Sequence, residues 1–124
     1  MADTAVQNAA VPGKARTIAL WVLQILAAVA FLGSASLKLS SAPQAVEIFA
    51  KIGYGQWFRY LTGTLEALGA IGLFIPRFSF YAALLLAVVM IGAIVSHLTI
   101  LGGSPVAAAV LLVIAGTIAY LRKP

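Results

Sequence analysis

Three ionisable side chains, Lys38, Glu66 and His97, lie within or at the ends of otherwise apolar runs. An ammonium, a carboxylate and an imidazole gathered at one level can hold a polar head group, relay a proton or act as an acid–base set. Each is costly where it stands: a charge near the middle of a bilayer costs about 2.5–3.5 kcal/mol on insertion scales. The trio is therefore the candidate functional site. Glu66 is the most informative member, because Gly63, Ala67, Ala70 and Gly72 around it let a neighbouring backbone come close and turn the carboxylate toward protein. Two uses stand for each residue. Glu66 either forms a structural pair between helices or binds a proton or ligand; Lys38 either anchors a helix end or belongs to the site; His97 is either an interface hydrogen-bonder or a ligand contact or base. Lys38, Glu66 and His97 are the candidate catalytic residues. Together with the lesser polar groups Gln24 and Thr62, which suit bonds across helices, they make the candidate ligand-binding set. With one histidine, no cysteine and only Asp3 and Glu47 as further acids, a metal site built within one chain is not expected.

Composition indicates the elements that must carry these residues. Of 124 residues, 63% are hydrophobic and 9% charged, against roughly 25% charged in soluble domains. Too little polar surface exists to cover a water-soluble globule, and one membrane domain is expected. The net charge of +5 comes from basic residues scattered among apolar runs. They form no stripe for nucleic acid and suit lipid head groups instead. The absence of cysteine excludes thiol–disulfide chemistry within the chain.

Residues 1–16 are expected as a mobile tail, with Pro12-Gly13 as a breaker, and residues 17–124 as the membrane domain. The apolar run from Ile18 is too long for a signal-peptide core. The first span is predicted over about Thr17 to Leu39, the second over Trp57 to Ile75 with Pro76 stopping it, and the third over Ser79 to Leu101, ended by Gly102-Gly103. A fourth follows Ser104-Pro105, an N-cap and a proline at the first helical position, and runs to about Leu121. The fold class is thus all-α, an integral membrane four-helix bundle. A short interfacial helix is predicted between the first two spans: Ser41-Ala42-Pro43 opens it, Gly53 caps it, and Val46, Phe49, Ala50 and Ile52 share a face, with Glu47 and Lys51 spaced to pair. A plain loop is the alternative. Tyr54, Trp57 and Tyr60 suit an aromatic belt.

Alternate threading puts Lys14, Arg16, Arg77, Arg122 and Lys123 on one side and Lys38, Lys51 and Arg59 on the other. This bias favours cytoplasmic termini. Helical side chains lean toward the N-terminus, so Lys38 and His97 lean toward the bilayer centre and Glu66 leans back toward them. Arg59, two turns above Glu66, is expected to snorkel to the surface. Phe31 and Met90 are expected in packing.

The runs Gly33-Ser-Ala-Ser-Leu-Lys38-Leu39, Phe49-Ala-Lys-Ile-Gly53-Tyr and Leu61-Thr-Gly63-Thr-Leu-Glu66-Ala-Leu-Gly69 resemble those of the DoxX-like membrane proteins. So do Leu73-Phe-Ile-Pro76-Arg77 and Met90-Ile-Gly-Ala-Ile-Val-Ser-His97. The resemblance extends from about Thr17 to Leu121. It implies a four-helix bundle in a bacterial inner membrane, with this lysine, glutamate and histidine at matching positions. It also implies a connection with quinone-linked redox systems. The first functional reading is therefore a membrane subunit or accessory protein that binds a lipophilic ligand, a quinone, at the Lys/Glu/His site. No haem-ligand pair or flavin fingerprint is present, so electrons come from a partner protein in this reading. A small-molecule transporter, a scaffold or chaperone-like protein, and an acid–base membrane enzyme acting on a hydrophobic substrate are the alternatives. The transporter is disfavoured because small multidrug-resistance proteins carry their membrane carboxylate in the first helix. A homodimer is an assembly open to any of these.

Overall fold

The computed structural model describes residues 13–124, so the expected tail over residues 1–12 lies outside the described residues. Five α-helices follow in order: α1 Gly13–Leu39, α2 Pro43–Ile52, α3 Gln56–Gly72, α4 Ser79–Ser96 and α5 Val106–Arg122. A π-helical turn over His97–Leu101 continues α4, and no strand occurs among the described residues. α1 and α4 with its π turn are long and apolar enough to cross a membrane. α5 is a shorter apolar helix of 17 residues. α3 also has 17 residues but carries Arg59 and Glu66.

Gly13–Arg16, expected in the tail, are helical. A contact remote in sequence holds this end: Arg16 Nη2 donates to the Leu121 carbonyl at the end of α5, at 2.9 Å. A cation there satisfies an orphan carbonyl and opposes the negative end of the helix dipole. At its other end α1 closes in a Schellman turn, with Ala42 N–H donating to the Leu37 carbonyl at 3.0 Å and Ser41 N–H to that of Lys38 at 3.4 Å. Ser41 takes the left-handed conformation of that turn, φ 61°. The chain then reverses directly into α2, which has proline in its first turn and Gly53 at φ 88° as its C-cap. The short helix predicted from sequence is present, but its face is rotated. Ala45 and Phe49 are buried, whereas Ala50 is exposed.

α1 packs against α3 and α5, α3 against α4, and α4 against α5. The common core joins Ala27, Ala28 and Phe31 of α1 to Ala70 and Leu73, to Ala82, Ala83, Leu86 and Met90 of α4, and to Ala115, Ile118 and Ala119 of α5. Small residues dominate it, and they permit close backbone approach. Between α3 and α4 the approach is tightest at Gly69 and Gly72: a Cβ added there would lie 2.6 Å from Leu86 Cγ and 2.8 Å from Ala82 Cβ. Leu26, Val29, Val88, Leu98 and Val113 face outward and are exposed. An apolar exterior on this scale fits a small membrane protein.

Candidate functional site

From the Gly69–Leu86 contact toward the other end of the pair, α3 and α4 diverge. The space between them, a cavity of about 670 Å³, is walled by Leu61, Thr62, Leu65 and Glu66 of α3 and by Val88–Met90, Gly92, Ala93 and Ser96 of α4. α2 and the π turn touch each other and close its end with Ala45, Ile48, Phe49, His97 and Ile100. α1 contributes Ser34, Leu37 and Lys38. Leu61, Val88, Val95 and Ile100 line the cavity yet remain exposed, so it opens through the outer face of the molecule beside α4.

Lys38, Glu66 and His97 all line this cavity. Glu66 is 0% exposed, and its Oε1 lies 2.7 Å from Lys38 Nζ, whose side chain is 19% exposed. The same ammonium donates to Ser34 Oγ at 2.6 Å, one turn back along α1. Beyond this ion pair, neither Glu66 oxygen has a hydrogen-bond partner among the described residues. The absence of a side chain at Gly63 makes the meeting possible. A Cβ there would lie 3.0 Å from Lys38 Cβ, so α1 and α3 cross closely one turn from the ion pair.

His97 stands where α4 becomes π-helical. Its carbonyl accepts the Gly102 N–H at 3.0 Å and its Nδ1 lies 3.1 Å from the Gly102 carbonyl. A carbonyl only accepts, so Nδ1 carries the hydrogen in this contact and Nε2 is left for another partner. The π turn was not legible in the apolar pattern. Its signal is Gly102-Gly103, both at positive φ, 69° and 70°, which ends the helix after one wide turn.

Three sequence expectations change here. Arg59 does not snorkel: it is 3% exposed. Its Nη1 donates to the Lys38 carbonyl, and its Nε donates to Gln56 Oε1 at 2.7 Å. Gln56 Nε2 in turn donates to the Val46 carbonyl of α2 at 3.1 Å. The Lys38 carbonyl draws the guanidinium inward, because it has a second lone pair to offer where lipid would offer no acceptor. Arg59 thus ties together α1, α2 and α3 beside the ion pair. Gln24 lies away from the cavity. Its Nε2 donates to the Leu73 carbonyl and its Oε1 accepts from Arg122 Nε at 2.8 Å, so both ends of the amide are engaged in joining α1 to α3 and α5. Thr62 lines the cavity, but its hydroxyl donates to the Phe58 carbonyl of its own helix at 2.8 Å. The exposed Glu47 and Lys51 pair loosely at 3.9 Å.

The arrangement combines apolar walls with one ammonium, one half-engaged carboxylate and one imidazole, the lining expected of a site for an apolar molecule with a polar head. The sequence profile of the DoxX-like family matches residues 22–121, which include every residue of the cavity. No curated protein and no solved structure matches the chain.

Proposed function

The chain belongs to the DoxX-like family, and on that premise we propose that it is a four-helix integral membrane protein that holds a quinone-type lipophile between α3 and α4. In this reading it serves as a membrane subunit or accessory of a quinone-linked redox system in a bacterial inner membrane, with both termini cytoplasmic and electrons supplied by a partner protein. The observation that carries it is the cavity itself. Its volume of about 670 Å³ falls in the range typical of small-molecule sites, roughly 300–1,000 Å³. Its exposed apolar rim suits access from lipid, and the Lys38 ammonium at its wall suits ring oxygens. A bound quinone supplies electron-accepting chemistry. The chain's own residues bind and orient the ring, with Lys38 donating to an oxygen and the walls excluding water.

The test is extraction of the purified protein, prepared from quinone-containing membranes, followed by mass spectrometry of the lipophiles retained. A quinone at near-stoichiometric level is expected. Gly92 lines the cavity with open space where a side chain would go, so Gly92→Leu should expel the ligand while leaving the polar groups intact. Equal retention of all lipophiles by the native protein and Gly92→Leu would remove this reading and leave the scaffold.

A further inference from the structure

The Lys38–Glu66 pair is sealed on one side only. Glu66 is completely buried, both its oxygens included, whereas Lys38 keeps 19% of its side chain exposed and lines the cavity. A ligand therefore meets the ammonium and never the carboxylate oxygens. Two of the three ammonium hydrogens already have partners in Glu66 and Ser34, which leaves one. The hydroxyls of Thr62, Ser96 and Thr99 donate to carbonyls four residues back in the chain, and Gln44 and Tyr54 are exposed. Among the lining residues Lys38 is the one cation and Glu66 the one anion, and their charges cancel. His97, with its hydrogen on Nδ1 toward the Gly102 carbonyl, adds no charge in its neutral form. Arg59 is not among the lining residues and stacks on the exposed Tyr60 ring, 4.2 Å from its centre.

We infer that the cavity admits uncharged lipophiles with an acceptor oxygen and rejects charged ones, and that Glu66 sets this selection without touching the ligand, by neutralising Lys38. A neutral carbonyl oxygen needs one donor and takes the remaining Lys38 N–H. An anionic head would give up its water for a site of no net charge. It would also have to share one ammonium with Glu66, so its desolvation is not repaid. A cationic head meets Lys38 first and is repelled, with Glu66 sealed behind it. Glu66 is thus a positioning and charge-setting residue that acts through Lys38. This selection rests on the proposed function for the presence of a lipophile and agrees with a quinone in that place. It goes beyond that reading in naming the charge class and the residue that sets it.

The experiment uses the full chain in nanodiscs at about pH 8, where an ordinary imidazole is neutral. Three probes share one alkyl chain: a benzoquinone, a benzenesulfonate and a phenyltrimethylammonium. Binding to empty nanodiscs is subtracted, which removes partition into lipid. The native protein is expected to bind the quinone at least about tenfold more tightly than either ion. In Glu66→Gln the amide oxygen still accepts from Lys38 but carries no charge, so the sulfonate should gain at least about tenfold relative to the quinone. A general loosening of the bundle would weaken all three probes together and leave that ratio unmoved. Should the variant not fold, the comparison of the three probes on the native protein decides by itself. Sulfonate binding as tight as quinone binding in the native protein, or a ratio unchanged by Glu66→Gln, would overturn the inference while leaving the proposed function in place. Failure of all three probes to bind the native protein would overturn both.

Discussion

At Glu66 the balance of terms is unusual, because the carboxylate is fully buried while its partner Lys38 retains some exposure. Breaking such a pair from one side leaves an uncompensated charge, at a cost of about 3–5 kcal/mol, whereas removing both partners together can be nearly neutral. Lys38→Met is therefore expected to destabilise the protein by about 3 kcal/mol, and Lys38→Met with Glu66→Gln should return to within about 1 kcal/mol of the native protein. Thermal melts of the detergent-solubilised variants measure both. A double variant no more stable than the single would show that the two side chains are not coupled. Ligand binding separates a structural pair from a functional one: in the proposed function the double variant regains stability but not its quinone. Arg59 acts through another residue, since it grips the carbonyl of Lys38 and its own helix neighbour Gln56. Arg59→Leu deletes charge-assisted bonds worth about 1.5–3 kcal/mol each, and a comparable loss of stability is expected, accompanied by weaker ligand retention as the end of α1 loosens.

The helices contribute by where they touch and where they separate. α3 and α4 approach closely at Gly69 and Gly72, and the cavity opens between them toward Thr62 and Ala93. Gly69→Ala forces a methyl to within 2.6 Å of the buried Leu86 and is expected to cost about 1–3 kcal/mol by overpacking. Gly116 of α5 has open space in the same position, so Gly116→Ala should stabilise by up to about 1 kcal/mol through helix propensity alone. Melting temperatures shifted in opposite directions by the two substitutions are the expected result. A neutral Gly69→Ala would mean that the helices are not pinned there. The short α2 and the π turn act together as a cover, since each lines the cavity and each touches the other. Aromatic edges hold α2 to α3, with the Phe49 and Phe58 centroids 5.8 Å apart.

Across the whole molecule, the described start of α1 and the end of α5 lie side by side through Arg16 and Leu121. In the proposed four-span arrangement, both ends emerge on one face of the bilayer. Cysteines placed at Lys14 and Pro124 should then react equally with a membrane-impermeant reagent added from the cytoplasmic side, and neither should react from the other. Labelling of the two from opposite sides would eliminate the four-span arrangement. At that end Arg16 caps α5 through the Leu121 carbonyl, and the exposed Lys123 suits head-group contact.

Much of this was legible along the chain, because helix formation and side-chain tilt are local. Apolar run length, Ser104-Pro105, the Gly53 cap and Gly102-Gly103 mark the elements. The 1.5 Å rise per residue and the lean of side chains toward the N-terminus place Lys38, Glu66 and His97 at one level before any packing is known. What the tertiary structure decided is which polar atoms find partners, since those partners lie far away in sequence. Gln24 is claimed by Leu73 and Arg122, and Arg59 by the terminal carbonyl of α1. The divergence of α3 and α4 likewise arises between surfaces, from two glycines meeting Leu86 and Ala82. No periodicity within either helix carries that information, because a helix records which face is apolar but not how closely its neighbour will approach.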